Sequence, residues 1–185
     1  MNTIDTYIFF FINRTLSNPV TDIVMPFVTD LKNIWWIYIV LICIALFNKK
    51  RPYFTLLLCL VLIIAVGFAD WFNSAVLKDI FMRPRPCKTL EGVHLLVPCG
   101  SGYSLPSSHA ANNFTFASFI FLAHNRLRFV CLLFAAIVAL SRIFVGVHYP
   151  FDVLSGAIVG CCIGFIFYIL TIQIEKTVTK KSNSI

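Results

Sequence analysis

The sequence predicts an all-α fold, a polytopic membrane helix bundle of about five transmembrane helices preceded by short N-terminal interfacial helices. Three observations predict it. Of the 185 residues, 59% are hydrophobic and only 12% charged, and the mean hydropathy is +0.86; soluble domains lie nearer half and a quarter. The apolar residues gather into long runs. The basic residues, which give a formal net charge of +7, stand dispersed at the ends of those runs, as orientation in a bilayer and attraction for anionic lipid heads require. That dispersal argues against nucleic acid as a partner, which would need a basic stripe. The length fits one domain, residues 1–185, with no room for a soluble accessory domain.

Residues Thr3 to Ile12 form an apolar run too brief to cross a hydrocarbon core, which needs about twenty residues. Asn13, Arg14, Asn18 and Pro19 break it, and a half-apolar segment with Asp22, Pro26 and Asp30 follows. Residues 1–32 are therefore expected to make two short helices in, or dipping into, the interface. No basic n-region or small-residue cleavage site marks the start as a signal peptide.

The first span is expected from Ile34 to Phe47, with Trp35, Trp36 and Tyr38 as an interfacial belt and Lys49, Lys50 and Arg51 ending it. The second runs from Tyr53 to about Leu77. It carries Asp70, which is costly in lipid and is expected to face the bundle interior beside a basic residue. Residues Lys78 to Pro106, holding four of the eight prolines, read as an irregular polar loop. Spans from about Ser107 to Ala123, Leu127 to Gly146 and Phe151 to Ile174 complete the set, and the terminal KKSNSI is expected to be disordered. Gly156, Gly160 and Gly164 form a small-residue stripe suited to close packing within the bundle.

Five spans place Lys49, Lys50, Arg51, Arg126, Arg128, Lys176, Lys180 and Lys181 on one side, which the positive-inside rule makes cytoplasmic. The Lys78–Pro106 loop and the Arg142–Asp152 turn fall on the other. Five cysteines, Cys43, Cys59, Cys131, Cys161 and Cys162, lie in apolar runs and read as small buried hydrophobes without zinc spacing. Cys87 and Cys99 share the polar loop, where an oxidising compartment would let them pair.

The chemistry gathers between residues 78 and 152. Lys78 precedes Arg85-Pro86 by seven positions, Pro106-Ser107-Ser108-His109 heads the third span, and Ser141-Arg142 is followed by His148 and Asp152. Cations neutralise the non-bridging oxygens of a phosphoryl group, one imidazole attacks phosphorus, and another protonates the leaving oxygen. His148 and Asp152, four apart at a helix opened by Pro150, share a face, so the carboxylate is placed to hold one ring nitrogen and leave the other free. Ser107, Ser108 and His109 start a helix whose unpaired N–H groups favour an anion.

Lys78-x6-Arg85-Pro86, Pro106-Ser107-Ser108-His109 and Ser141-Arg142-x5-His148-x3-Asp152 resemble the three motifs of the type 2 phosphatidic acid phosphatase (PAP2) superfamily. The resemblance implies His148 as a nucleophile forming a phosphohistidine, Asp152 as its orienting partner and His109 as general acid. Lys78, Arg85, Arg142, Ser107 and the backbone N–H of Ser108 would grip the phosphate. Ser108 departs from the family pattern, which has glycine there. The family needs no metal and no cofactor. The expected activity is hydrolysis of a lipid phosphate or diphosphate at the outer leaflet of a bacterial inner membrane, on lipid A 1-phosphate, phosphatidylglycerophosphate or undecaprenyl diphosphate. A lipid-to-lipid phosphotransferase would use the same residues. A lipid transporter is the reading from another class, and it lacks the internal repeats such proteins show. His94 and His124 read as interfacial side chains, and Arg83 and Lys88 as solvent- or lipid-facing cations. Oligomeric state stays open.

Overall fold

The computed structural model describes residues 3–46, 51–124 and 127–182, and within them the secondary structure is helical without a strand. Lys49, Lys50 and Arg126, assigned above to the cytoplasmic side, lie outside the described residues. Helix α1 (Thr3–Phe10) runs into a π-helical turn (Phe11–Thr15). Helix α2 (Pro19–Thr29) starts where Asn18 and Thr21 form a reciprocal capping box ahead of Pro19. It meets α3 (Leu31–Leu46) at an elbow of 66°.

Helix α4 (Pro52–Phe72) continues through a second π-helical turn (Asn73–Leu77) into the single turn α5 (Lys78–Phe81). The polar loop is less irregular than its prolines imply, because α6 (Pro86–Thr89) adds another helical turn. Helices α7 (Ser108–Ala123), α8 (Arg128–Phe144) and α9 (Pro150–Ser182) follow. The last is longer than expected: Lys180, Lys181 and Ser182, assigned above to a disordered tail, continue the helix, and only residues 183–185 of that tail fall outside the description.

By length and composition, the segment from Pro52 and helix α9 are able to cross a bilayer, and the bent pair α2–α3 makes a third candidate. Helices α7 and α8, with 16 and 17 residues, are shorter. A belt of exposed apolar side chains, including Trp36, Ile63, Leu133 and Phe165, surrounds the bundle. Such a belt is costly in water and neutral in lipid.

Helix α7 is the central post, flanked by α4, α8 and α9. Lipid tails are as apolar as leucine, so burial gives little drive for helix association and close van der Waals contact must supply it. The α7–α9 seam shows how: a Cβ on Gly160 would stand 2.2 Å from the Ala111 carbonyl oxygen, and one on Gly156 would stand 2.5 Å from that of Ser107. The glycine stripe thus serves packing inside the bundle, as expected. One apolar cluster joins Leu58, Leu62, Phe116, Phe119 and Ile120; a second, around Phe9, Ala110, Ile143 and Tyr149, lies under the motif residues.

Several expectations are corrected. Helix α1 does more than lie at the interface: Asp5 and Phe9 are fully buried against the motif-bearing elements, while Ile4 and Tyr7 face outward. Tyr38 turns inward from the aromatic belt, donating to Asn113 Oδ1 at 2.6 Å and packing on Phe116 and Phe134. Asp70 is exposed rather than interior; its carboxylate accepts from the Asn112 amide at 2.8 Å and lies within electrostatic range of Lys78, a basic neighbour as expected. Among the five free cysteines only Cys131 is buried, while Cys43 and Cys162 are on the outer surface. In lipid that surface is apolar too, so a thiol is tolerated on either side of the helix.

Candidate active site

The turn between α8 and α9 is built around Gly146. Its φ of +85° belongs to the left-handed region, and a Cβ there would stand 2.8 Å from Val93 and 2.9 Å from the His94 carbonyl, so glycine alone fits. The His148 and Val147 N–H groups return to the Arg142 carbonyl. Three motif residues are thereby drawn into one short reverse segment: Arg142 at the end of α8, His148 in the turn and Asp152 in the first turn of α9.

His148 is 2% exposed and Asp152 fully buried. His148 Nδ1 lies 3.5 Å from Asp152 Oδ2, an ion-pair distance beyond an ordinary hydrogen bond, and Oδ2 accepts from the Tyr149 N–H at 2.8 Å. The other ring nitrogen, Nε2, is 3.3 Å from an Arg85 guanidinium nitrogen. Burial pushes the His148 pKa down to about 4; Asp152 opposes that shift, and Arg142 and Arg85 add to it. The surroundings thus favour the neutral ring, and Nε2 is the nitrogen that faces the Arg85 guanidinium.

Arg85 is fixed from both sides of the loop. Its Nε donates to the Gly102 carbonyl at 3.0 Å and its Nη1 to that of Val147 at 3.3 Å. Cys87 and Cys99 are joined in a disulfide, which closes the segment between Arg85 and Gly100, the residue against which the guanidinium packs. Lys78, just past the second π-helical turn, lies within electrostatic range of Arg85, Arg142 and Asp152. His109, on α7, is likewise within range of Arg142, His148 and Lys78. Arg142 donates to the Thr29 hydroxyl at the α2–α3 elbow at 2.5 Å.

The third-span head departs in detail from the expectation. Ser107 is buried and caps α7 with its hydroxyl, and its own N–H bonds the Asp152 carbonyl at 2.9 Å, tying α7 to α9. The N–H groups of Ser108 and His109 are the ones left at the helix start, where an anion is favoured. The Ser108 hydroxyl accepts from the buried Asn73 amide at 2.9 Å, and that amide also holds the Pro106 carbonyl at 3.1 Å.

Sequence reasoning missed the part of three residues here: Asp5, Thr29 and Arg83. Arg83 is neither solvent- nor lipid-facing. Its side chain is 19% exposed and donates to Asp152 Oδ1 at 2.8 Å and to Asp5 Oδ2 at 2.6 Å. The only hint was its place two residues before Arg85. Lys88, in contrast, is exposed and reaches the Ser101 carbonyl. His94 pairs with Asp22 at 3.0 Å, away from the motif residues.

Comparison with known proteins supplies the family. The PAP2 superfamily model matches residues 52–175. The lipid A 4'-phosphatase of Bacteroides thetaiotaomicron is 32% identical over 92% of this chain and 78% of its own length. The undecaprenyl-diphosphatase BcrC of Bacillus subtilis is 27% identical over 82% of this chain and 75% of its own. The crystal structure of Aquifex aeolicus LpxE superposes with a TM-score of 0.71 at 29% identity, covering 90% of this chain and 95% of that one. With three motifs on one turn-and-helix framework and a family match across two-thirds of its length, this chain belongs to the PAP2 superfamily as a membrane lipid phosphatase.

Proposed function

We propose that the protein removes phosphate from a membrane lipid through a phosphohistidine on His148, with a lipid A phosphate as the leading substrate. The observation that carries the mechanism is the contact chain Arg85–His148–Asp152: a neutral imidazole, one nitrogen beside a carboxylate and the other beside a fixed guanidinium. A phosphoryl group between Arg85, Arg142 and Lys78 would present phosphorus to Nε2 and have its oxygens neutralised by three cations. The Nε2 lone pair forms the N–P bond as the P–O bond to the lipid breaks, and His109 gives its proton to the leaving oxygen. Asp152 holds the Nδ1 proton, so the charge that develops on the ring is balanced. His109, now neutral, takes a proton from water, whose oxygen displaces His148 and releases inorganic phosphate.

The choice of lipid rests on the Bacteroides relative named a lipid A 4'-phosphatase, which aligns over nearly the whole chain. Undecaprenyl diphosphate and phosphatidylglycerophosphate are the competing substrates. In this reading α7 and α8 also cross the bilayer, giving five spans, and the site opens on the outer side of a bacterial inner membrane. The Cys87–Cys99 disulfide supports that side, since such bonds persist in oxidising compartments. The test is phosphate release by the purified protein in detergent from each lipid separately, with no acceptor lipid present. Release from lipid A, with a loss of at least about 10³-fold in His148→Ala, is expected. Release only when a second lipid is added would make the protein a phosphotransferase, and unchanged turnover in His148→Ala would overturn the mechanism.

A further inference from the structure

We infer that Asp5 and Arg83 are positioning residues for the reaction, a carboxylate and a guanidinium that lock the Asp152 side chain against His148 and tie its action to the N-terminal helix. The inference rests on the phosphohistidine reading of His148 and adds to it a layer outside the three motifs.

The geometry is a closed chain of contacts. Asp152 has two oxygens with different tasks: Oδ2 faces His148 Nδ1 and accepts from the Tyr149 N–H, while Oδ1 accepts from Arg83 at 2.8 Å. With both oxygens engaged, the carboxylate has one orientation. The other arm of the Arg83 fork donates to Asp5 Oδ2 at 2.6 Å, and Asp5 Oδ1 accepts from the Phe151 N–H, in the first turn of α9, at 3.0 Å. The guanidinium lies 4.0 Å above the ring of Tyr149, the residue between His148 and Pro150. Asp5, Asp152 and Tyr149 are all at most 1% exposed. A carboxylate 147 positions upstream of Asp152 is thus fully buried within one guanidinium's span of it.

Charge explains why both partners are needed. A bare Asp152 beside His148 would raise the basicity of the imidazole, so that a proton would compete with phosphorus for Nε2. Arg83 offsets that field, and Asp5 offsets Arg83, leaving Asp152 enough negative charge to stabilise the phosphorylated ring. The other charged groups around His148 are Arg85 from the loop, Arg142 from α8 and His109 from α7. All of these are unchanged by substitutions at positions 5 and 83.

The experiment compares Asp5→Asn, Arg83→Gln, Arg83→Lys and His148→Ala in detergent, each checked for folding by thermal unfolding and measured for kcat, KM and the pH profile of kcat/KM. Arg83→Gln is expected to lose about 10²-fold in kcat, with KM within about threefold and the acid limb raised by about one pH unit. Arg83→Lys keeps the charge without the fork. It should leave the acid limb in place and recover about tenfold of the lost kcat. Asp5→Asn, which preserves shape, should lose about tenfold in kcat without raising the acid limb. It serves as the decisive variant if Arg83→Gln does not fold. An inactive His148→Ala beside Asp5→Asn and Arg83→Lys of wild-type kcat would overturn this inference alone, as would an Arg83→Gln that folds but keeps the acid limb of the wild type. An active His148→Ala would overturn the underlying mechanism instead.

Discussion

Substituting Gly160 by alanine adds one methyl group at the tightest backbone crossing between α7 and α9. The new Cβ would stand 2.2 Å from the Ala111 carbonyl oxygen and 2.9 Å from the Thr115 nitrogen, both backbone atoms that no rotamer change can move away. Ordinary contact begins near 3.4 Å, so the helices must separate locally by about 1.2 Å. Two effects then oppose each other. Alanine stabilises a helix over glycine by about 1 kcal/mol, while overpacking of a well-packed seam costs about 1–3 kcal/mol. The second wins or breaks even, with a fall in Tm of up to roughly 8 °C for a chain of this size. Activity should suffer more than stability. His109 rides on α7 and Asp152 on α9, so moving the helices apart separates the two halves of the site, and an error of about 1 Å costs about 10²-fold. The assay is phosphate release from lipid micelles alongside thermal unfolding, with Gly67→Ala as the control. A Cβ at Gly67 has nothing within 4 Å, so that variant should match or exceed the wild type in both. Gly160→Ala with wild-type turnover and Tm would refute the argument that this seam positions the site.

Two further outcomes follow from the site itself. Because the His148 pKa is lowered to about 4 from the ordinary value near 6.5, the proposed nucleophile stays unprotonated well into the acid range, and the acid limb of kcat/KM should fall near pH 4. Since the folded value lies below the unfolded one, this group's contribution to stability is present above about pH 6.5 and is lost as the pH falls toward 4; pH-dependent thermal unfolding of the wild type against His148→Ala reads it. Opening the Cys87–Cys99 bond, by Cys99→Ser or by reductant, should cost about 2–3 kcal/mol of loop constraint and raise KM about tenfold as Arg85 loosens. A reductant effect that persists in the double Cys87→Ser/Cys99→Ser variant would assign it to another cause.

Much of this was legible in the sequence because the motif spacings are local. His148 and Asp152 sit four apart beside a helix-opening proline, and the cations fall at span ends where lipid forbids idle charge. The Asp5–Arg83 pair was not legible, since it joins residues 78 positions apart by a contact with no period. The facing of Asp70, Cys43 and Cys162 was misjudged for another reason. A helix in lipid is apolar on both its packed and its outer side, so the amphipathic signal that sorts inside from outside in a soluble bundle is missing. Helix α9, almost wholly apolar from Val153 to Ile172, shows how little pattern remains. What does survive is residue size: the glycines at 156, 160 and 164 marked the packed face correctly.

The two π-helical turns carry a consequence about length. Each holds a fully buried asparagine that stitches distant segments together: Asn13 joins the His94 backbone to the Phe144 carbonyl, and Asn73 joins Pro106 to Ser108. A wide turn of this kind amounts to an ordinary helix that has gained one residue. Deleting one residue from 74–77 would let the regular period return and leave Lys78 facing nearly as before, at the cost of the wide turn that holds Asn73 in place. Deleting one from the regular part of α4 would instead rotate everything beyond it by about 100° and carry Lys78 away from Arg85 and Arg142. The two wide turns are thus the places where these helices absorb a change in residue count, and the buried asparagines are what the extra residue there positions.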